Sequence, residues 1–141
     1  MAISSYLCKA FGSELQTTIK EAIKILKPHL KEFDAIAVRG NSGVIVGSVV
    51  AYLLKKPLIV VRKPKGLEDS HASFHVESLI ETGSYLIFDD QVAGGSTVRT
   101  IQKDIKLAWP KLKSNGYIYT YGCCKSSIGK YWELSLNYLV Q

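Results

Sequence analysis

No run of apolar residues in this 141-residue chain reaches the roughly 18 to 20 needed to cross a bilayer. The opening, MAISSYLCKAF, has no basic segment ahead of a long apolar core, so a cytoplasmic protein without membrane contact is expected. Cysteine is scarce and odd in number: Cys8, Cys123 and the adjacent Cys124. Neighbouring cysteines rarely suit disulfide geometry, which argues against a structural bridge and for reduced thiols. Internal repeats and low-complexity segments are absent, as is any basic tract of about five to eight residues. The GxxxxGK[ST] pattern of a P-loop and the GxGxxG pattern of a dinucleotide fold are also missing, which disfavours triphosphate chemistry.

The composition present is that of one compact globular domain, 47% hydrophobic and 21% charged. A net charge of +6 could serve nucleic acid, a membrane surface or small polyanions such as phosphates. The lysines are dispersed, at Lys20, Lys24, Lys27, Lys31, Lys103, Lys106, Lys111 and Lys113. That spread favours the plainer account, solvated helix faces.

Along the chain, Leu15, Ile19, Ile23, Leu26, Leu30 and Phe33 recur at helical spacing after Ser13, which with Gln16 forms a capping-box pattern; Pro28 should kink or end the helix. Asp34–Val38 is a short apolar strand, Arg39–Gly43 (RGNSG) a glycine loop, and the following VIVGSVVAYLL a buried helix. Pro57–Val61 reads as a second strand, and 62–74 as a long loop of the kind that often forms a lid. Tyr85–Asp90 is a third strand, Ser96–Trp109 a helix stopped by Pro110, and Gly116–Cys124 a fourth strand. The tail YWELSLNYLV could add an edge strand. Short apolar strands alternating with helices predict an α/β fold around a parallel sheet, with ligands beyond the carboxyl ends of the strands.

The stretch YLIFDDQVAGGST (Tyr85–Thr97) concentrates the chemistry. Gly94 and Gly95 let backbone amides approach an anion, and Ser96 or Thr97 opens a helix whose amino terminus favours negative charge. Two carboxylates beside such a loop would repel a phosphate unless something neutral lies between them. Four residues from Asp90 to Gly94 span at most about 13 Å, room for one sugar ring. Carboxylates accept hydrogen bonds from vicinal hydroxyls, and a hard cation can bridge hydroxyls and a second phosphate group. A ribose 5-phosphate satisfies the whole string. The competing account is a turn in which Asp89 and Asp90 merely cap or stay solvated.

These residues resemble the phosphoribosyl pyrophosphate (PRPP) signature of type I phosphoribosyltransferases: apolar strand, acid pair, small-residue loop, Ser/Thr. VRGNSG (Val38–Gly43) resembles that family's pyrophosphate loop, VVRKPKG (Val60–Gly66) its approach to the flexible catalytic loop, and FHVESLIETGSYLIFDD the return found in the adenine and orotate branch. The resemblance covers roughly residues 33–124. It implies an α/β fold in a single domain with a reduced hood, only about ten residues preceding the first helix. It also implies an enzyme that transfers the phosphoribosyl group of PRPP to a nitrogenous base, releases pyrophosphate and depends on Mg²⁺, in nucleotide salvage.

By the same resemblance Asp89 and Asp90 hold the ribose hydroxyls, directly or through Mg²⁺, and Ala93, Gly94, Gly95, Ser96 and Thr97 wrap the 5-phosphate. Arg39, Gly40, Lys63 and Lys65 meet the pyrophosphate, with Arg39 and Lys63 counted with the acid pair as catalytic; a homodimer is the expected assembly. Where the family carries a threonine, this chain has Gly94. One hydrogen bond to a charged group is worth about 1.5 to 3 kcal/mol, so weakened binding is expected. Ala93 matches adenine-type enzymes rather than those acting on 6-oxopurines. The alternative is a PRPP-binding regulatory protein of little or no turnover that contacts nucleic acid.

Other polar residues have plainer roles. His71 and His75 flank the expected lid at i and i+4, but without further ligand-spaced residues they read as loop histidines. Glu68 and Asp69 could act on the base or the pyrophosphate, or simply be solvated. Cys123 and Cys124 read as small buried residues. Tyr117, Tyr119 and Tyr121 alternate on one strand face and point to core or interface.

Overall fold

The structure is a computed structural model and describes residues 14–63, 75–92, 94–122 and 127–130, excepting the side chains of Ser127 and Lys130. The first expected helix is divided: α1 (Glu14–Leu26) is α-helical and continues as a 3-10 helix over Lys27–Glu32. Pro28, in the first turn of that segment, has no amide to donate and its ring clashes with an α-helical carbonyl, so the tighter winding takes over there. The fully buried line of α1 is Thr18, Ala22 and Leu26, while Leu15, Ile19 and Ile23 are only partly covered beside it. Lys56 closes the segment by donating from Nζ to the carbonyls of Leu30 and Phe33, both at 2.8 Å. Ser13, the expected cap, lies outside the described residues.

The sheet comprises β1 (Ala35–Arg39), β2 (Leu58–Val61), β3 (Val76–Ser78), β4 (Gly83–Asp89), β5 (Leu112–Thr120) and β6 (Ser127–Lys130), in the spatial order β3-β2-β1-β4-β5-β6. The four inner strands are parallel, and the edge strands β3 and β6 run antiparallel to their neighbours. The parallel α/β expectation therefore holds for the interior. The short β3 escaped the pattern because three residues carry too little periodicity to read. The edge strand beyond β5 is Ser127–Lys130; the tail expected to supply one lies outside the described residues, as does most of 62–74.

Two cores flank the sheet, so β1 is buried on both faces from Ala35 to Val38, as a central parallel strand must be. On one face Ile36, Val38, Leu86, Phe88, Tyr119 and Tyr121 pack under α1 and α2 (Gly40–Leu53). On the other, Ala37, Ile59, Ile87 and Ile118 pack against Val98, Ile101 and Ile105 of α3 (Ser96–Ala108). The α2 segment is helical although Val44, Ile45, Val46, Val49 and Val50 are poor helix formers, because burial against the sheet outweighs propensities of at most about 0.7 kcal/mol each. RGNSG is not a loop: Arg39 ends β1 and the helix begins at Gly40.

Close approach of α2 to the sheet depends on glycine. A Cβ at Gly47 would stand 2.5 Å from Cγ1 of Val38 and 3.3 Å from Cδ1 of Phe88. Gly47→Ala should destabilise the fold by about 1–3 kcal/mol despite the better helix propensity of alanine, as read from chemical denaturation.

Candidate functional site

Parallel strands bring their carboxyl ends to one edge. Arg39 pairs with Val61 across β1 and β2, and Asp89 with Thr120 across β4 and β5, so these four residues mark one rim. The chain leaves β1 directly into α2 and leaves β4 through a short turn into α3, so two helix amino termini open on this rim. Arg39 and Gly95, at the two N-cap positions, provide no side-chain cap, which leaves amide donors and positive dipole ends facing it.

At the first terminus Gly40 adopts φ +72°, the left-handed region that glycine enters without penalty. The Lys63 side chain lies against it, its Cε 3.2 Å and Nζ 3.4 Å from where a Cβ of residue 40 would be. Lys63 follows β2 by two residues and is exposed. Lysine and glycine thus meet at one helix start. Arg39 joins them from the strand end, its Nε buried and making no hydrogen bond among the described residues.

At the second terminus Gly94 and Gly95 have φ of +63° and +75°. A Cβ on Gly94 would meet nothing within 4 Å. Space would admit the hydroxyl-bearing side chain that the resemblance leads one to expect, but the backbone would not: a β-branched residue is strained at that φ. The missing threonine therefore reflects a turn built for glycine. Gly95 is buried, Ser96 exposed and Thr97 half-buried at the start of α3. Ala93, Lys65, Glu68, Asp69, His71, Cys123 and Cys124 lie outside the described residues. His75 is exposed, and its carbonyl accepts from the amide of Arg62.

Between the two termini stand the acids. Asp89 is 6% exposed. Its Oδ1 accepts from the Asp90 amide at 2.8 Å and from the Ser42 hydroxyl at 3.4 Å. Burial pushes the Asp89 carboxyl up to about 7, with the neighbouring Asp90 carboxylate adding to the rise and the Ser42 bond opposing it. Asp90 is half-buried, and its Oδ1 accepts from the amide of Gln91 at 2.9 Å. Ser42 carries no signal of its own within RGNSG, and the sequence points to core or interface for Tyr121. Tyr121 is indeed core, its ring tilted against that of Phe88, but its hydroxyl also donates to the carbonyl of Ser42 at 2.5 Å.

The rim therefore presents a cationic helix start, a carboxylate pair and a glycine-rich helix start in sequence. Such a surface suits a ligand with two anionic ends and a hydroxyl-bearing middle. No protein-family model matches the chain. Adenine phosphoribosyltransferase of Pseudomonas syringae pv. syringae is 36% identical over 80 residues, covering 48% of this chain and 44% of that enzyme. The corresponding protein of Stutzerimonas stutzeri is 35% identical over the same shares. Over that stretch the chain is similar to adenine phosphoribosyltransferases.

The solved structures share the type I fold. A Thermoanaerobacter pseudethanolicus adenine phosphoribosyltransferase superposes with a TM-score of 0.57 at 23% identity, over 74% of this chain and 65% of that one. An Aeropyrum pernix orotate phosphoribosyltransferase gives 0.54 at 20% identity, over 72% and 55%. The chain matches less than half the length of the curated relatives named above.

Burial of Asp89 has a consequence for stability. Between the ordinary carboxyl value near 3.8 and about 7, the folded chain keeps a proton at Asp89 that the unfolded chain has lost. Unfolding then releases a proton, so this residue makes the ligand-free protein less stable as pH rises through that window. Denaturant midpoints measured from pH 4 to 7.5 should carry this downward contribution, and Asp89→Asn should remove it, leaving the variant more stable than wild type near neutrality.

Proposed function

We propose that this chain transfers the phosphoribosyl group of PRPP to a nitrogen of a base with release of pyrophosphate. The observation that carries the reading is the order of groups along one rim: Arg39, Gly40 and Lys63 at the start of α2, Asp89 and Asp90 at the end of β4, Gly94 to Thr97 at the start of α3. Amides at the α3 terminus bind the 5-phosphate. The acid pair accepts hydrogen bonds from the ribose 2′- and 3′-hydroxyls. Lys63 and Arg39 neutralise the pyrophosphate as it departs, and Lys65 belongs with them.

Two adjacent carboxylates fit Mg²⁺, which takes one or two such ligands from a protein and the rest from phosphates and water. Among the described residues no cluster of three His, Cys, Asp or Glu side chains forms a closed cage, in keeping with an ion shared with the ligand through Asp89 and Asp90. Mg²⁺ bound there would offset charge developing on the pyrophosphate. Adenine is the first base to test, supported by Ala93 and by the activity for which the curated relatives are named. A cytoplasmic homodimer completes the reading; among the described residues no helix is long and apolar enough to cross a membrane. Gly94, with no hydroxyl to offer the phosphate, supports a second reading, a PRPP-binding regulatory protein with the positive charge serving nucleic acid.

Incubation with PRPP, Mg²⁺ and a panel of purine and pyrimidine bases should yield base-dependent pyrophosphate. PRPP binding without turnover on any base would sink the enzyme reading in favour of the second. Replacing both acids, Asp89→Asn with Asp90→Asn, should weaken PRPP binding at least tenfold by calorimetry, about 1.4 kcal/mol or more; unchanged affinity would refute the site.

A further inference from the structure

Tyr121, Ser42 and Asp89 close a ring of hydrogen bonds across three segments of the rim. The Tyr121 hydroxyl donates to the Ser42 carbonyl at 2.5 Å, the Ser42 hydroxyl donates to Asp89 Oδ1 at 3.4 Å, and the Tyr121 amide donates to the Asp89 carbonyl at 3.3 Å. The shortest of the three is the one made by the phenol. Ser42 lies in the first turn of α2 beside Gly40, while Asp89 ends β4. The ring therefore spans the cationic helix start and the carboxylate pair.

We infer that Tyr121 is a positioning residue that fixes the first turn of α2 relative to the end of β4, so that the pyrophosphate and ribose portions of one ligand are met simultaneously. The inference rests on the PRPP reading above. A core role accounts for the ring of Tyr121, which is 1% exposed and lies 5.9 Å from that of Phe88. It does not account for the hydroxyl, since phenylalanine would fill the same volume. A helical carbonyl already serves the amide four residues on and has a second lone pair; Tyr121 uses it to attach a helix start to a strand two positions away in the sheet. Holding two subsites at a set separation raises affinity for a ligand that joins them, and leaves affinity for either half alone nearly unchanged.

The test compares three ligands on wild type and Tyr121→Phe: PRPP, inorganic pyrophosphate, and ribose 5-phosphate, each with Mg²⁺, by calorimetry. The expected result is a loss of about tenfold for PRPP with both halves within about twofold of wild type. Unchanged PRPP affinity overturns the inference while leaving the PRPP reading intact. A parallel loss for all three, accompanied by a fall in Tm, assigns the hydroxyl to structure alone and likewise overturns it. Wild type that binds no PRPP overturns both readings. If Tyr121→Phe does not fold, Ser42→Ala removes the next bond of the ring and must show the same selective loss.

Discussion

A carboxylate buried at the end of a central strand is the constraint on which the rest of this rim depends. Asp89 stands between β1 and β5 with almost no contact with water. An unsatisfied buried carboxyl is costly, so its neighbours are arranged to serve it: the next amide in the chain, and a serine hydroxyl delivered by the first turn of α2. Ser42 can reach because α2 begins immediately after β1, and α2 lies close because Gly43 and Gly47 face Phe88 and Val38 without a Cβ. Phe88 precedes Asp89, so helix packing and carboxylate placement are set by adjacent residues of one strand.

The same arrangement makes the site electrostatically mixed. Two helix termini and the cations near α2 favour anions, while the acid pair between them disfavours any anion that comes too near. A ligand is compatible only if its charges are separated by neutral, hydrogen-bonding matter. Burial, with the adjacent Asp90 carboxyl adding to it, raises the Asp89 carboxyl in the ligand-free state, and a bound hydroxyl or cation would offset that rise.

Much of this was legible in the chain. The inner strands and the helices α1, α2 and α3 announced themselves through apolar runs and periodicity, and YLIFDDQVAGGST placed acids and glycines in the order the structure preserves. Less legible were the features that depend on neighbours distant in sequence. RGNSG looked like a loop because its glycines and serine are turn formers, yet helical winding begins at Gly40, with Gly43 lying against Phe88 of β4 and Val38 of β1. Pro28 marked a break, but nothing local showed that the chain would tighten into a 3-10 segment, or that Lys56, far along the chain, would close its end at the carbonyls of Leu30 and Phe33. Gly94 read as a lost hydroxyl, and its φ shows a turn that threonine would not comfortably adopt.

Sequence by itself determined the alternation of strand and helix and the order of acids and glycines along one segment, because periodicity and glycine placement are local physics. Tertiary structure decided which groups meet. Tyr121 and Ser42 are 79 residues apart and are joined by one hydrogen bond. No spacing in the chain reports that bond, since it exists only because parallel pairing brings the ends of β1, β4 and β5 to the same edge.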